Sequence, residues 1–229
     1  MKFPILELNK NFNSLNILHG IFSVFGDFGV GKTTFALQTA INSAKLGKFI
    51  IYVYTKPKFP SEKVMLINKN SEDILDNILF IQTTNFDELN RIIFNFEFLI
   101  LKYLNKNKTK LELIIIDSIT NLYRLELSKD KKEKNYNLNY KLNQILANLA
   151  YLNEIYNIEI LVINETSRKT VDDLIIDIQS GGNVMKFWVN YNLKITKTNI
   201  LNERKFFFTN ISENKTIEFF SNLRENGFG

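Results

Sequence analysis

The chain has no cysteine and a single histidine, His19, among its 229 residues. Disulfides, thiolate metal centres and cysteine nucleophiles are thereby excluded, and a zinc cluster lacks the ligands it requires. No apolar run approaches the length of a membrane span, and the N-terminus lacks the basic, apolar and small-residue order of a signal peptide. The expectation is a cytoplasmic protein that takes no membrane as partner. No internal repeat is present. What remains is enough chain for one large α/β domain with a substantial core. Residues 1–229 read as a single domain, with 1–18 poorly specified because asparagines dilute the apolar residues there. The net charge of +5 and pI near 9.1 suit a polyanionic partner. Lys and Asn are, however, abundant along the whole chain, as AT-rich coding produces, so a compositional origin and a selected surface both stand.

Strand and helix patterns alternate. Ile21 to Phe25 reads as a strand, Thr34 to Leu46 as a helix, Phe49 to Tyr54 as a strand, Ser61 to Ile67 as a short helix and Ile78 to Gln82 as a strand. A helix is expected from Phe86 to Leu104, where Leu89, Ile92, Ile93, Phe96, Leu99, Ile100 and Tyr103 recur at helical spacing. Strand Leu111 to Ile116, helix Asn137 to Tyr156 and strand Glu159 to Ile163 follow. Such alternation predicts a mainly parallel sheet covered on both faces. Tyr191 to Thr196, Lys205 to Asn210 and Thr216 to Phe220 then read as strands added antiparallel to one sheet edge.

Chemistry concentrates where a strand becomes a helix. Gly26-Asp27-Phe28-Gly29-Val30-Gly31-Lys32-Thr33 fits the pattern G-x-x-x-x-G-K-[ST], between the strand ending at Phe25 and the helix opening at Thr34. Glycines let the backbone turn its N–H groups around phosphates, and the helix N-terminus adds its positive dipole end. Residues 26–34 are therefore the expected binding site for a nucleoside triphosphate, with Lys32 reaching its phosphates and the Thr33 hydroxyl ligating Mg²⁺. A second half-motif is Leu113-Ile114-Ile115-Ile116-Asp117-Ser118, an apolar strand delivering a carboxylate at its C-terminal end. Asp117 is expected to hold the same Mg²⁺, directly or through water.

Asp117 through Leu127, taken with the phosphate loop, resembles the RecA/RadA recombinase family, most closely its small archaeal RadB-like members. The likeness extends to Lys141 through Glu165, to Gly181-Gly182 and Phe187-Trp188, and to a closing turn at Leu223 through Phe228. It implies a RecA-type P-loop NTPase fold, ATP with Mg²⁺ as cofactors, and a role in homologous recombination and DNA repair. Implied partners are DNA, more readily single-stranded, and a RadA-type recombinase or Holliday junction resolvase. RadB-like proteins are ATPase cores without the N-terminal helical DNA-binding domain. The Phe-x-x-Ala motif by which RadA-type filaments dock neighbours does not occur here, so a filament is disfavoured.

Two positions depart from the family pattern. Where the second strand of the family ends Asp-Thr-Glu-Gly, this chain has Tyr54-Thr55-Lys56-Pro57. The water-orienting glutamate is thus a lysine, a loss that costs about two to four orders of magnitude in rate while leaving nucleotide binding intact. Lys56 can even add a γ-phosphate contact. The family's Asn-Gln pair, which senses that phosphate, is here Asn164-Glu165. The simplest reading of Glu165 is a solvated loop carboxylate, the alternatives being an ion pair with Lys56 or service as a displaced base.

Resemblance also implies two DNA-contacting loops. The first spans Arg124 to about Lys134 with Lys129, Lys131, Lys132 and Lys134, the second Ser167 to Gly182 with Arg168 and Lys169. Both read as flexible segments. Asp130 and Glu133 offset the first, while Asp172, Asp173 and Asp177 make the second mostly acidic, so any DNA affinity is expected to be modest and salt-sensitive. Trp188 reads either as a contact to a neighbouring subunit or DNA, or as a buried side chain. The expectation is an ATP-binding accessory protein with weak or absent hydrolysis. The competing readings are a KaiC-like nucleotide-gated module acting through protein partners, and an active recombinase with a substitute base.

Overall fold

A computed structural model of the chain describes residues 1–14, 20–68, 72–104, 110–171 and 174–229. His19, Asp172, Asp173 and the Tyr103 side chain lie outside that description. In chain order the elements begin with α1 (Leu6–Ser14), β1 (Ile21–Gly26), α2 (Lys32–Ala44), β2 (Phe49–Tyr54), α3 (Ser61–Ile67), α4 (Glu72–Leu75) and β3 (Ile78–Gln82). Next come α5 (Phe86–Phe94), α6 (Phe96–Leu104), β4 (Leu111–Asp117), α7 (Asn121–Glu126), α8 (Lys132–Tyr156) and β5 (Glu159–Ile163). The chain then forms β6 (Thr166–Val171), β7 (Leu174–Gln179), α9 (Gly182–Trp188), β8 (Val189–Lys197), β9 (Glu203–Asn210), β10 (Lys215–Arg224) and β11 (Gly227–Phe228).

One sheet runs in the order β11-β10-β9-β8-β1-β5-β4-β2-β3. From β8 to β3 the neighbours are parallel, and from β8 to β11 they are antiparallel. The central strands are apolar throughout because both faces are covered, as parallel strands require. On β4, Leu113 and Ile115 enter one core with Phe35 and Leu37 of α2, while Ile114 and Ile116 enter the other with Leu142, Ile145 and Leu149 of α8. Each such fully buried side chain contributes about 1.5–3 kcal/mol. This is the mainly parallel, doubly covered sheet that the alternation predicts, with the antiparallel C-terminal strands of the RecA-type fold implied by the resemblance.

Several boundaries differ from expectation, each for a local reason. Residues 6–14, within the stretch read as poorly specified, form α1. Phe3, Ile5, Leu8 and Phe12 of this region are buried, with Phe3 stacked at 5.8 Å on Phe35. Asn9 belongs to that core: it accepts from Phe3 N–H and donates to the carbonyls of Phe3 and Ile5, so the asparagine is a clasp rather than a diluent. The single helix expected from Phe86 to Leu104 is divided at Asn95, whose side chain caps the Arg91 carbonyl at 2.8 Å. The C-terminal strands add antiparallel to one another as expected, the first of them, β8, joining the sheet parallel to β1. The second expected loop is a β6–β7 hairpin, Thr166 opposite Gln179 through Val171 opposite Leu174. Its Thr, Val and Ile residues favour strands.

Candidate nucleotide site

Register in the sheet assembles the site. Val24 lies beside Ile163, Ile163 beside Asp117 and Asp117 beside Tyr54. The segments following β1, β5, β4 and β2 therefore leave the sheet side by side at its carboxyl end, where α/β folds bind ligands. These are the phosphate loop, Asn164-Glu165, Ser118 onward, and Thr55-Lys56. Thr55 locks the last two together: its hydroxyl donates to Ser118 O at 2.9 Å and accepts from Ser118 N–H at 2.8 Å.

The loop that follows β1 ends at Gly31, in the left-handed region at φ 103° immediately before α2. A Cβ there would meet the Phe228 ring at 2.8 Å and Leu223 at 2.9 Å, so glycine alone suits the turn. Within residues 26–34, Val30 and Thr34 are buried in support of the loop, while Phe28 is 95% exposed and Asp27 and Gly29 also face outward. Phe28, Gly29, Gly31, Lys32, Thr33 and Thr34 line one wall of a cavity of about 680 Å³. Lys56, Asn121, Arg124, Leu125, Glu165 and Leu223 complete it.

Lys32 is only 7% exposed and folds back across the loop, donating to Gly26 O at 2.6 Å and Asp27 O at 3.0 Å. Burial pushes its pKa down and the Glu165 carboxylate pulls it up, with burial winning. Glu165 stands between two cations, Oε2 at 3.5 Å from Lys32 Nζ and Oε1 at 3.6 Å from Lys56 Nζ. It is mostly buried, so the reading as a solvated loop carboxylate gives way to a shared ion pair. Among the described residues no other acidic side chain lines the cavity.

Asp117, at the end of β4, is fully buried. Its Oδ2 accepts from the Tyr52 hydroxyl at 2.9 Å, and its Oδ1 has no hydrogen-bond partner among the described residues. Burial pushes the carboxyl above its ordinary range, against the Lys56 ammonium and the Thr33 and Tyr52 hydroxyls. An orphaned buried carboxylate oxygen next to a hydroxyl suits Mg²⁺, which takes one or two carboxylates and completes its shell with phosphates and water. Groups of three or more acidic or histidine ligands are absent among the described residues, and this hard cation needs none.

The Rad51 family profile matches residues 13–202. The chain belongs to the Rad51 family. It is 32% identical over 180 residues to the DNA repair and recombination protein RadB of Methanocaldococcus jannaschii, covering 78% of this chain and 79% of that protein. Against RadB of Methanosphaera stadtmanae the identity is 33% over 180 residues, covering 78% and 73% respectively. RadA of Metallosphaera sedula is 28% identical over 152 residues, 62% of this chain and 45% of RadA.

Several residues of this Rad51-family site escape motif reading. Tyr52 carries a hydroxyl into the buried interior of β2, where it faces the Asp117 carboxylate. Gln38 of α2 binds the backbone of Phe228 on both sides, and Lys197 Nζ stands 3.7 Å from where a Cβ of Gly29 would lie. Behind Glu165 a buried network runs to the hairpin. The Thr120 hydroxyl donates to Asn164 Oδ1 at 2.5 Å and accepts from Glu165 N–H at 3.1 Å. Asn164 Nδ2 donates to Gln179 Oε1 and Ser180 O, each at 3.1 Å, and Gln179 also accepts from Ser23 at 2.5 Å.

The remaining sequence candidates scatter around the cavity. Arg124 belongs to α7 and donates to Thr166 O at 3.1 Å, at the base of the hairpin. Lys129 and Lys131 are exposed between α7 and α8, whereas Lys132 and Lys134 already lie in α8. Lys131, Lys132 and Lys134 share a second cavity with Asp87, Glu126, Asp130 and Glu133, so the charge there is mixed. Arg168 is 71% exposed on β6 and 3.8 Å from Asp177, with Lys169 exposed beside it. Trp188 is half-buried against α8, its Nε1 donating to Asn143 at 2.8 Å. No helix among the described residues is long and apolar enough to cross a membrane.

Proposed function

We propose that this chain is a RadB-like, ATP-binding accessory protein of homologous recombination and DNA repair that holds nucleotide and hydrolyses it weakly or not at all. Kinship with the Rad51 family and with proteins named for DNA repair and recombination supports the broad role. We read residues 1–229 as one RecA-like ATPase core, cytoplasmic, acting on DNA, a RadA-type recombinase or a Holliday junction resolvase.

The observation that carries the hydrolysis reading is the Lys32–Glu165–Lys56 arrangement, with contacts of 3.5 and 3.6 Å. On nucleotide binding, Lys32 exchanges the carbonyls of Gly26 and Asp27 for phosphate oxygens. Thr33 and the free Oδ1 of Asp117 would hold Mg²⁺, which supplies charge neutralisation across the phosphates. Orienting a water requires an acceptor free of other partners. Glu165, the one carboxylate lining the cavity among the described residues, is ion-paired with two ammonium groups at 3.5 and 3.6 Å, and the segment after β2 offers a cation. Binding is therefore retained where turnover is not.

ATP affinity and steady-state turnover with Mg²⁺, measured on the same preparation, test this. Tight binding with turnover at least a hundredfold below that of a Rad51-family enzyme carrying the glutamate is expected. Comparable turnover would overturn it, and Lys56→Glu is expected to raise the rate. A second reading, a nucleotide-gated module acting only through proteins, draws on the mixed charge around Lys131 to Lys134. Anisotropy with single-stranded DNA decides between them, since no binding at low salt removes the DNA role.

A further inference from the structure

Lys56 occupies an unusual electrostatic position. Its side chain lines the same cavity as Thr33, and its ammonium is 3.6 Å from Glu165. Of the groups that draw the Asp117 pKa down it is the strongest, ahead of the Thr33 and Tyr52 hydroxyls. Its charge thus bears on the same hydroxyl and carboxylate that would ligate a divalent cation.

That charge is also available. Both contacts of Glu165 with the two lysines, 3.5 and 3.6 Å, are longer than the roughly 2.7–2.9 Å of a charge-assisted hydrogen bond. Among the described residues no acceptor takes a hydrogen bond from Lys56 Nζ, so its three donors remain for a ligand. The turn carrying it is fixed at the backbone: Gln82 Nε2 donates to Lys56 O at 2.9 Å and Pro57 O at 2.7 Å. Among the described residues the cavity consequently presents Lys32, Lys56 and Arg124, with Lys197 near Gly29, against one lining carboxylate, Glu165. A polyanionic phosphate chain entering this space meets an excess of fixed cations before any metal ion is added.

We propose that the Lys56 ammonium takes over part of the charge neutralisation that a divalent cation supplies, so that this cavity binds a nucleoside triphosphate without Mg²⁺. The inference rests on the reading of the cavity as a nucleotide site. It extends that reading to how the phosphates are held.

The test is ATP affinity, by calorimetry or with a fluorescent analogue, in excess Mg²⁺ and in excess chelator, for the native chain and for Lys56→Ala and Lys56→Arg. Thermal unfolding of each variant reports that it is folded. The native chain is expected to lose less than about tenfold in affinity on chelation, and Lys56→Ala at least about tenfold more than that, the worth of a charge-assisted contact. Lys56→Arg is expected to keep the native behaviour. Binding of the native chain that vanishes in chelator but stands in Mg²⁺ overturns the proposal and leaves the nucleotide reading intact. Equal weakening of Lys56→Ala in both conditions overturns it likewise. Absence of ATP binding in both conditions overturns the nucleotide reading itself, and this proposal with it.

Discussion

Lys32 and Glu165 face each other in the cavity beside the phosphate loop, Nζ to Oε2 at 3.5 Å, where the proposed nucleotide would place its phosphates. The carboxylate competes with phosphate for the lysine and repels the incoming anion. It also relieves the mutual repulsion of Lys32 and Lys56, whose charges oppose each other. Glu165→Gln, close to isosteric, therefore has two expected effects of opposite sign. Nucleotide affinity rises by about three- to tenfold, and the ligand-free protein unfolds at a slightly lower temperature. Titration calorimetry and thermal melts on the same samples check both, and unchanged affinity would show that the pair does not guard the cavity.

Gln38 couples the phosphate-loop helix to the far end of the chain. Its Nε2 donates to Phe228 O at 2.9 Å, and Phe228 N–H donates to its Oε1 at 2.8 Å. Gln38→Leu removes both bonds and leaves two backbone groups to find water, at about 1–3 kcal/mol. For a chain of this length each kcal/mol lowers the midpoint by about 2–4 °C. Because Leu223 and Phe228 pack under Gly31 and Leu223 lines the cavity, ATP affinity is expected to fall as well. Loss of stability with unchanged affinity would confine the clamp to a structural role.

The parts of this fold visible in the sequence are those with a strong local signature. The phosphate loop needs glycine at Gly31, and central strands such as Leu113 to Ile116 need apolar residues on both faces. Position-specific effects of tertiary origin were hidden. Asn9 and Asn95 look alike in sequence, yet one is a buried clasp and the other ends a helix. The hairpin after Glu165 carried enough charge to resemble a loop, although its residues pair in regular register. Lys56 and Glu165 could be singled out by their departure from the family pattern. That the two lysines share Glu165 depends on which strand lies beside which, a fact of sheet order.

Asp117 makes the ligand-free protein sensitive to pH in a direction opposite to an ordinary ion-paired carboxylate. Its pKa is raised above the usual 3.8, first by burial, so the native state holds a proton that the unfolded chain releases. Above pH 3.8 the unfolded state binds fewer protons, and stability falls as pH rises through the window up to the folded pKa. Asp117→Asn removes the buried charge and keeps an acceptor for Tyr52. It is expected to flatten this part of the stability profile and to leave the ligand-free protein as stable or more so near neutrality. Mg²⁺-dependent enhancement of ATP binding is expected to disappear. Chemical unfolding across pH, paired with ATP titrations, checks both, and a variant less stable at neutral pH than the native chain would contradict the assignment.

Lys129 and Lys131 lie exposed between α7 and α8, and Lys132 is the exposed first residue of α8, on the segment that continues from Arg124 at the cavity wall. The loop is held by Asn135, which accepts from Ser128 N–H at 3.0 Å and donates to Ser128 O at 2.6 Å. Substituting the three lysines by alanine therefore removes charge without loosening the turn. If each contacts a phosphate of single-stranded DNA, counterion release contributes about −0.7 per contact to the slope of log affinity against log salt. The triple variant is then expected to bind more weakly at low salt, with a slope shallower by about 2. Asp130, Glu133, Asp87 and Glu126 surround the same lysines, so Asp130→Asn is expected to tighten binding through the same charges. An unchanged slope in the triple variant would remove this segment from the DNA interface and move the search to Arg168 and Lys169 on the hairpin.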